Sequence, residues 1–413
     1  MNDLSRRSLL LTGAGAAASL AAPAIARDRG AADVVVIGAG VFGAWTATHL
    51  QRMGRKVTLV DAWGPAHARA SSGGESRMTR GAYGPDEVYA RMAWESLAEW
   101  KTLSARAGLP IFHKTGVLFF FPTADPYLAQ TMAVHKRLGF ATRVMEPAAL
   151  RRRFPQIEWD GVYAGVHEPE FGALMARRGV QTLVAEFVRA GGRYEKAAVA
   201  APVGGADALD SIATASGETV SAGQFVFACG PWLPKLFPAL LGKRIFPTRQ
   251  EIFFFAPDAG DDRFAPGRLP GWADFNGGDI YYGFPDLEGR GFKIANDTHG
   301  APIDPDLGDR AFSAGALADV RAYMKRRFPA LAARPMTEAR VCQYENSANG
   351  DLLIDRHPQW RNVVLAGAGS GHGFKHGPAV GKYAAELVAG TLRRPEPRFS
   401  LASKGETERR AVH

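Results

Sequence analysis

Two cysteines in 413 residues, Cys229 and Cys342, are too few for a disulfide framework. Their separation fits no metal-type spacing, although an exported protein could still pair them. The apolar segment near the N-terminus is too short and too glycine-rich for a convincing membrane-spanning helix. Zinc-finger, helix-turn-helix and aromatic RNA-binding motifs are lacking. So are long linkers, repeats and low-complexity tracts. Charge of one sign is not concentrated either. Fifty Lys and Arg face 41 Asp and Glu, net +9, and the basic residues are scattered. Two short basic clusters, Arg151-Arg152-Arg153 and Lys325-Arg326-Arg327, each precede Phe-Pro and read as solvated helix ends. Nucleic acid is therefore not an expected partner, and the mild positive charge suits a small anionic ligand. His372 and His376 have helical i, i+4 spacing but no third ligand, so no metal site is expected.

What is present starts at residue 33. Asp33-Val34-Val35-Val36-Ile37 reads as a buried parallel strand, and Gly38-Ala39-Gly40-Val41-Phe42-Gly43 follows at once. Ala44 to Met53 reads as a helix, and Lys56 to Val60 as a second strand ending in Asp61. In this dinucleotide fingerprint Gly38 allows the tight turn, Gly40 lets a pyrophosphate approach the backbone, and Gly43 lets helix pack on strand. The unpaired N–H groups of the helix start face the phosphates. Asp61 is placed to accept from ribose hydroxyls.

Two more strands end in glycine. One is Gln224 to Ala228, before Cys229-Gly230-Pro231-Trp232. The other is Val363 to Ala366, before Gly367-Ala368-Gly369-Ser370-Gly371-His372-Gly373-Phe374-Lys375. An apolar-striped helix from Pro378 to Gly390 follows. One long ligand touched by three distant segments points to FAD rather than NAD. Between them, Gln250–Phe255, Asp279–Pro285 and Gly291–Ile294 are aromatic-rich and bounded by Pro/Gly turns, as antiparallel strands are. The expected fold is α/β (α+β): a Rossmann-like FAD-binding domain with an inserted mixed or antiparallel-sheet substrate domain. Residues 32–110, 150–235 and 338–395 are assigned to the first, 111–149 and 236–337 to the second, and 396–413 to a tail.

From Ala32 to Arg394 these segments, in this order, resemble the monomeric sarcosine oxidase family of flavoenzymes, which includes N-methyltryptophan and pipecolate oxidases. The resemblance rests on the fingerprint, on Ser71-Ser72-Gly73-Gly74-Glu75-Ser76-Arg77-Met78-Thr79-Arg80, on Tyr281-Tyr282-Gly283-Phe284-Pro285 with Lys293, on Cys342, and on Gly371 to Lys375. It implies an FAD-dependent oxidase of secondary or N-substituted amino acids, with dioxygen reduced to hydrogen peroxide. By the same resemblance Cys342 bonds the flavin 8α-methyl through sulfur, and Lys293 activates dioxygen over the flavin face. Arg80 and Lys375 hold the substrate carboxylate, Tyr282 shapes the substrate cavity, and Arg77 favours the anionic reduced flavin. Ser71, Ser72, Gly369, Gly371, Gly373 and Lys375 join Gly38, Gly40, Gly43 and Asp61 on the cofactor. Cys229 reads as plain packing. A monomer is implied, with a small amino acid and dioxygen as its only partners.

Two positions depart from the pattern. Gly73 and Asp297 stand where small-substrate members carry histidines, and His299 is out of phase by two. The sequence suggests that Gly73 opens space for a bulkier substrate, and that Asp297 pairs with the amine. Two other readings stay open: a periplasmic dehydrogenase passing electrons to another acceptor, and a non-catalytic flavin-binding subunit of a larger assembly.

Residues 1–26 read as an export signal. Ser5-Arg6-Arg7-Ser8-Leu9-Leu10 opens it, a Leu/Ala/Gly segment follows, and Ala24-Ile25-Ala26 supplies the small-residue cleavage pattern. The paired arginines indicate the twin-arginine route. That route carries folded cargo, which suits a protein that takes up its cofactor in the cytoplasm, and the expected destination is the periplasm. The expected mature chain starts near Arg27. Intact-mass measurement of the exported protein checks this, and retention of residues 1–26 would refute it.

Overall fold

Val34, Val35 and Val36 belong to the strand Ala32–Ile37, near the middle of a seven-stranded sheet. This computed structural model describes residues 32–276, 279–298 and 300–408; the expected export segment and His299 lie outside them. Across the sheet the strands run Leu353–Arg356, Val363–Gly367, Thr219–Phe227, Ala32–Ile37, Val57–Asp61 and Arg193–Lys196, with Ser211–Ala213 paired alongside Thr219–Phe227. The four pairings from Val363–Gly367 to Arg193–Lys196 are parallel. Both faces of such a sheet must be covered, which is why the central strand is a continuous apolar run. Val34 and Val36 enter one core with Trp45 and Val380, while Val35 and Ile37 enter another with Phe227 and Leu233. On the first side the helix Val41–Arg52 packs on the helix Gly377–Ala389. A Cβ at Gly381 would stand 2.5 Å from the Trp45 side chain, so glycine sets that approach.

The second sheet has eight strands. Met336–Ser347, Ile245–Phe255, Phe292–Asn296, Asp279–Phe284 and Gly271–Asn276 run antiparallel to their neighbours. Gly271–Asn276 then pairs parallel with Val117–Phe121, and Ala164–Glu168 and Arg143–Met145 complete the edge. Alternation along these strands separates two jobs. Phe253, Phe255, Phe292, Ile294, Trp272 and Tyr281 form an aromatic core with Tyr323 and Met324 of the helix Ala314–Arg327. The residues between them, Gln250, Ile252, Lys293 and Tyr282, face the other way, with Cys342 paired opposite Gln250. A small third sheet joins Ser76–Thr79, Gly172–Met175 and Phe112–His113. The expected α/β class, a Rossmann-like part beside a mixed sheet, is what the chain adopts.

Residues 396–404 are packed: Phe399 and Leu401 are buried, and Arg398 pairs with Asp86 and Asp351. Cys229 and Cys342 are both free thiols. Among the described residues no helix is long and apolar enough to cross a membrane.

Both basic clusters do end helices, and Arg151 to Arg153, Lys325 and Arg326 are exposed. Arg327 is not. Its Nε donates to Asp274 Oδ2 at 3.0 Å, and its Nη1 donates to the carbonyls of Glu158 and Asp160. Tyr323 donates to the same carboxylate oxygen at 2.9 Å. Removing the guanidinium would strand a buried carboxylate. Arg327→Met should therefore cost roughly 3–5 kcal/mol, against less than about 0.5 kcal/mol for exposed Arg326→Met. Denaturant unfolding of both variants measures the difference.

Candidate active site

Where the first sheet's strands end, a cavity of about 400 Å³ opens. Gly38, Gly40, Asp61, Ser71, Ser72, Arg77, Gly369, Gly371 and Gly373 all line it. Gly38 has φ +103°, and a Cβ there would meet the Ala228 carbonyl oxygen at 2.3 Å, so the turn requires glycine. A Cβ on Gly43 would lie 1.9 Å from the Gly38 carbonyl oxygen, which is the helix-on-strand contact expected of the third glycine. Gly40 is different. The nearest atom to a Cβ there is Ser72 Oγ at 4.0 Å, so its front is open. Gly40 also begins the helix with no side-chain cap. The Val41 N–H makes only a long contact, 3.4 Å to Ser72 Oγ, and open backbone at a helix start is what a diphosphate needs. Asp61 lines the cavity, but its carboxylate already accepts from the N–H groups of Ala39, Trp63 and Gly64 at 2.7–2.9 Å. A carboxylate has about four lone-pair sites, which leaves one for a ribose hydroxyl. These residues fit a dinucleotide such as FAD.

A second cavity, about 120 Å³, adjoins the first; Arg77, Tyr344, Gly371 and Phe374 belong to both walls. Gly371 has φ +76°, and its missing Cβ would stand 2.9 Å from the Tyr344 ring. At this junction the Ser76 carbonyl receives two cations: Arg77 Nη1 at 2.9 Å and Lys293 Nζ at 2.8 Å. Lys293 also reaches Ser76 Oγ and stands 5.1 Å from the Phe284 ring centroid. Burial, then the neighbouring Arg77, pulls its ammonium down to about 7. Lys293 is on the site face of its strand, yet it lines neither cavity directly. Cys342 is buried and lines the smaller cavity. A Cβ on Gly74 would come within 2.6 Å of Arg77 and 2.9 Å of Cys342 Sγ, so this glycine lets the thiol and guanidinium close on the same spot. Cys229 lines the larger cavity, and its thiol, pushed up by burial, donates to the Ile37 carbonyl.

The smaller cavity holds the remaining candidates: Arg80, Lys375, Tyr282 and Asp297. One residue that the sequence did not single out organises two of them. The Arg80 guanidinium lies over the Tyr83 ring, 3.9 Å from its centroid. Lys375 Nζ donates to the Tyr83 hydroxyl at 2.9 Å and to the His372 carbonyl at 2.6 Å. Burial, then Arg80, holds the Lys375 ammonium well below its ordinary range. His372 and His376 are not metal-type neighbours. Nδ1 of His372 and Nε2 of His376 both lie within hydrogen-bond distance of the Tyr83 hydroxyl, at 3.5 and 2.7 Å. Tyr282 and Tyr344 hydroxyls meet at 3.4 Å, and burial raises both phenols.

Gly73 does not do what the sequence suggests. It lines neither cavity, and a Cβ there would strike the His67 carbonyl oxygen at 2.4 Å. The glycine serves packing and opens no substrate space. Two buried carboxyls also escaped the sequence reading. Glu168 accepts from the Gly81 N–H, and burial raises it to about 7. Glu345 lines the larger cavity, and burial raises it to about 8. Neither sits in a motif, so composition and spacing give no signal for them.

The description "FAD dependent oxidoreductase" matches residues 33–387. Monomeric sarcosine oxidase of Bacillus sp. (strain B-0618) is 32% identical over 364 residues, spanning 86% of this chain and 92% of that protein. N-methyl-L-tryptophan oxidase of Citrobacter koseri is 29% identical over 374 residues, spanning 89% and 96%. Among solved structures, L-proline dehydrogenase from P. horikoshii superposes with a TM-score of 0.78 at 22% identity, over 90% of this chain and 97% of that one. With a family match from the first strand nearly to the end of the last helix, the chain belongs to the FAD-dependent oxidoreductases.

Proposed function

We propose that the chain oxidises a secondary or N-substituted amino acid to its imine and reduces dioxygen to hydrogen peroxide, in the manner of the sarcosine oxidases. One observation carries this reading: a small cavity adjoining the dinucleotide cavity presents two basic side chains, half-buried Arg80 and buried Lys375, together with the Asp297 carboxylate. FAD, when bound, supplies the two-electron acceptor for the C–H bond next to the substrate nitrogen. The chain's own groups bind and orient.

Arg80 and Lys375 hold the carboxylate, each contact contributing roughly 1.5–3 kcal/mol. An arriving carboxylate also restores the Lys375 charge that burial suppresses. The cations and the dry site lower the amine pKa, so the nitrogen gives up its proton and its lone pair becomes available. Asp297 sits on the same cavity and pairs with the nitrogen end. Met78, Phe119, Phe275 and Ile280 exclude water from the reacting carbon. Because Gly73 adds no room, the bulkier substrate suggested by the sequence is replaced here by a compact one. The relatives named for sarcosine and N-methyl-L-tryptophan make N-methyl amino acids the first to screen. Export of the folded monomer to the periplasm by residues 1–26 belongs to the same proposal.

Cys342 is proposed to carry the flavin covalently, its Sγ held with the Arg77 guanidinium around Gly74. Acid precipitation of the purified protein should leave the yellow colour on the chain, in a peptide containing Cys342. Colour released as free FAD would remove the link and keep the fold. Gly74→Ala should lower the bound fraction by displacing Arg77 or Cys342.

A second reading has one observation in its favour. Lys293 is held on the Ser76 carbonyl and does not line either cavity, which suits a dehydrogenase with another acceptor. Substrate turnover with peroxide detection, against turnover with an artificial acceptor, separates the two. If the Lys293 cation stabilises charge developing on dioxygen, Lys293→Met should reduce at the normal rate but reoxidise slowly. In the parent protein the oxygen step should slow as pH rises through about 7, where Lys293 loses its proton. Stopped-flow mixing with dioxygen reads both, and unchanged oxygen reactivity in the variant refutes the role.

A further inference from the structure

Gln250 lines the smaller cavity, is 2% exposed and has no part in the chemistry above. It stands on the site face of Ile245–Phe255, directly opposite Cys342 in the neighbouring strand. Its Nε2 donates to the main-chain carbonyl of Asn296 at 2.5 Å. A carbonyl only accepts, so the amide nitrogen must face it, and this settles which way round the amide stands. The amide oxygen is thereby turned elsewhere. Oε1 is fully buried, and no group among the described residues donates to it. A buried acceptor left unpaired costs about 1–3 kcal/mol. Asn296, which anchors the amide, is followed by Asp297, which lines the same cavity. Gln250 and Asp297 thus belong to one region of the wall, and Arg80 and Lys375 line the same cavity.

We propose that Gln250 Oε1 accepts a hydrogen bond from an N–H on the substrate nitrogen. The site is then selective for amino acids whose nitrogen keeps a hydrogen when neutral, which are primary and secondary amines. Tertiary amines and oxygen isosteres leave Oε1 unpaired. The inference rests on the proposed amino-acid oxidation and narrows its substrate class. Unlike carboxylate binding, which any acid satisfies, an acceptor fixed by the fold reads the nitrogen.

The test uses the oxidised holoenzyme and two unreactive probes of one ring shape, pyrrole-2-carboxylate with an N–H and furan-2-carboxylate with an oxygen in its place. Binding is followed by the flavin absorbance change. The parent protein should bind the pyrrole acid about tenfold tighter or more, the ratio expected of one hydrogen bond to an otherwise unpaired acceptor. In Gln250→Met that ratio should fall to about one, with furan-2-carboxylate affinity nearly unchanged. A purely structural amide would weaken both probes alike and keep their ratio, which overturns the inference. Equal binding of the two probes by the parent protein also overturns it, so the outcome does not depend on the variant folding. Failure of both acids to perturb the flavin, with no N-methyl amino acid oxidised, removes the amino-acid reading itself and this inference with it.

Discussion

The strict alternation of side chains along the eight-stranded sheet is the constraint on which the site depends. Lys293 sits between Phe292 and Ile294, and the two aliphatic or aromatic neighbours enter the core under the helix Ala314–Arg327. That core fixes the height and register of the strand. The lysine then has one direction left, toward Ser76 and Arg77. The same logic turns Tyr282 away from Tyr281 and Gln250 away from the Phe253–Phe255 core. A slip of one residue would bury the polar set among aromatics, at a cost no local adjustment offsets.

Desolvated positive charge is the second theme. Lys293 and Lys375 are both buried, and burial is the main force lowering both ammonium groups. Among the described residues no carboxylate forms a salt bridge with either. They are held instead by carbonyls, by hydroxyls and, for Lys293, by the face of Phe284. Such an arrangement is costly in the empty protein and favourable once an anion arrives, which is how a small cavity selects for negative charge.

Much of this was legible from residue order. The apolar run before Gly38 and the acid after the second strand place the dinucleotide cavity, because a strand, a glycine turn and a helix have few ways to pack. The motif residues Arg77, Arg80 and Lys375 could be gathered into one place only through resemblance, since nothing local links positions some 300 residues apart. Tyr83 was not legible: it is one tyrosine among ten, and its role under Arg80 is a tertiary fact. Gly73 was misread for a related reason. Loss of a side chain looks like added space in a sequence, but the His67 carbonyl already fills it. Arg327 shared a basic triplet with two solvated neighbours, and only helix phase separates it from them.

The chain order of the first sheet has a consequence for how the protein matures. Its central strand is Ala32–Ile37, but the strand Val363–Gly367 and the glycine turn after it come from the far end of the sequence. Residues 396–404 then fasten onto Asp86 and Asp351. No early nascent fragment holds a finished dinucleotide cavity, because its walls are drawn from the first, middle and last thirds of the chain together. Closing such long loops comes late and slowly. The cavity is therefore complete only late in synthesis, since a chain that stops before residue 369 lacks the wall made by Gly369, Gly371, Gly373 and Phe374.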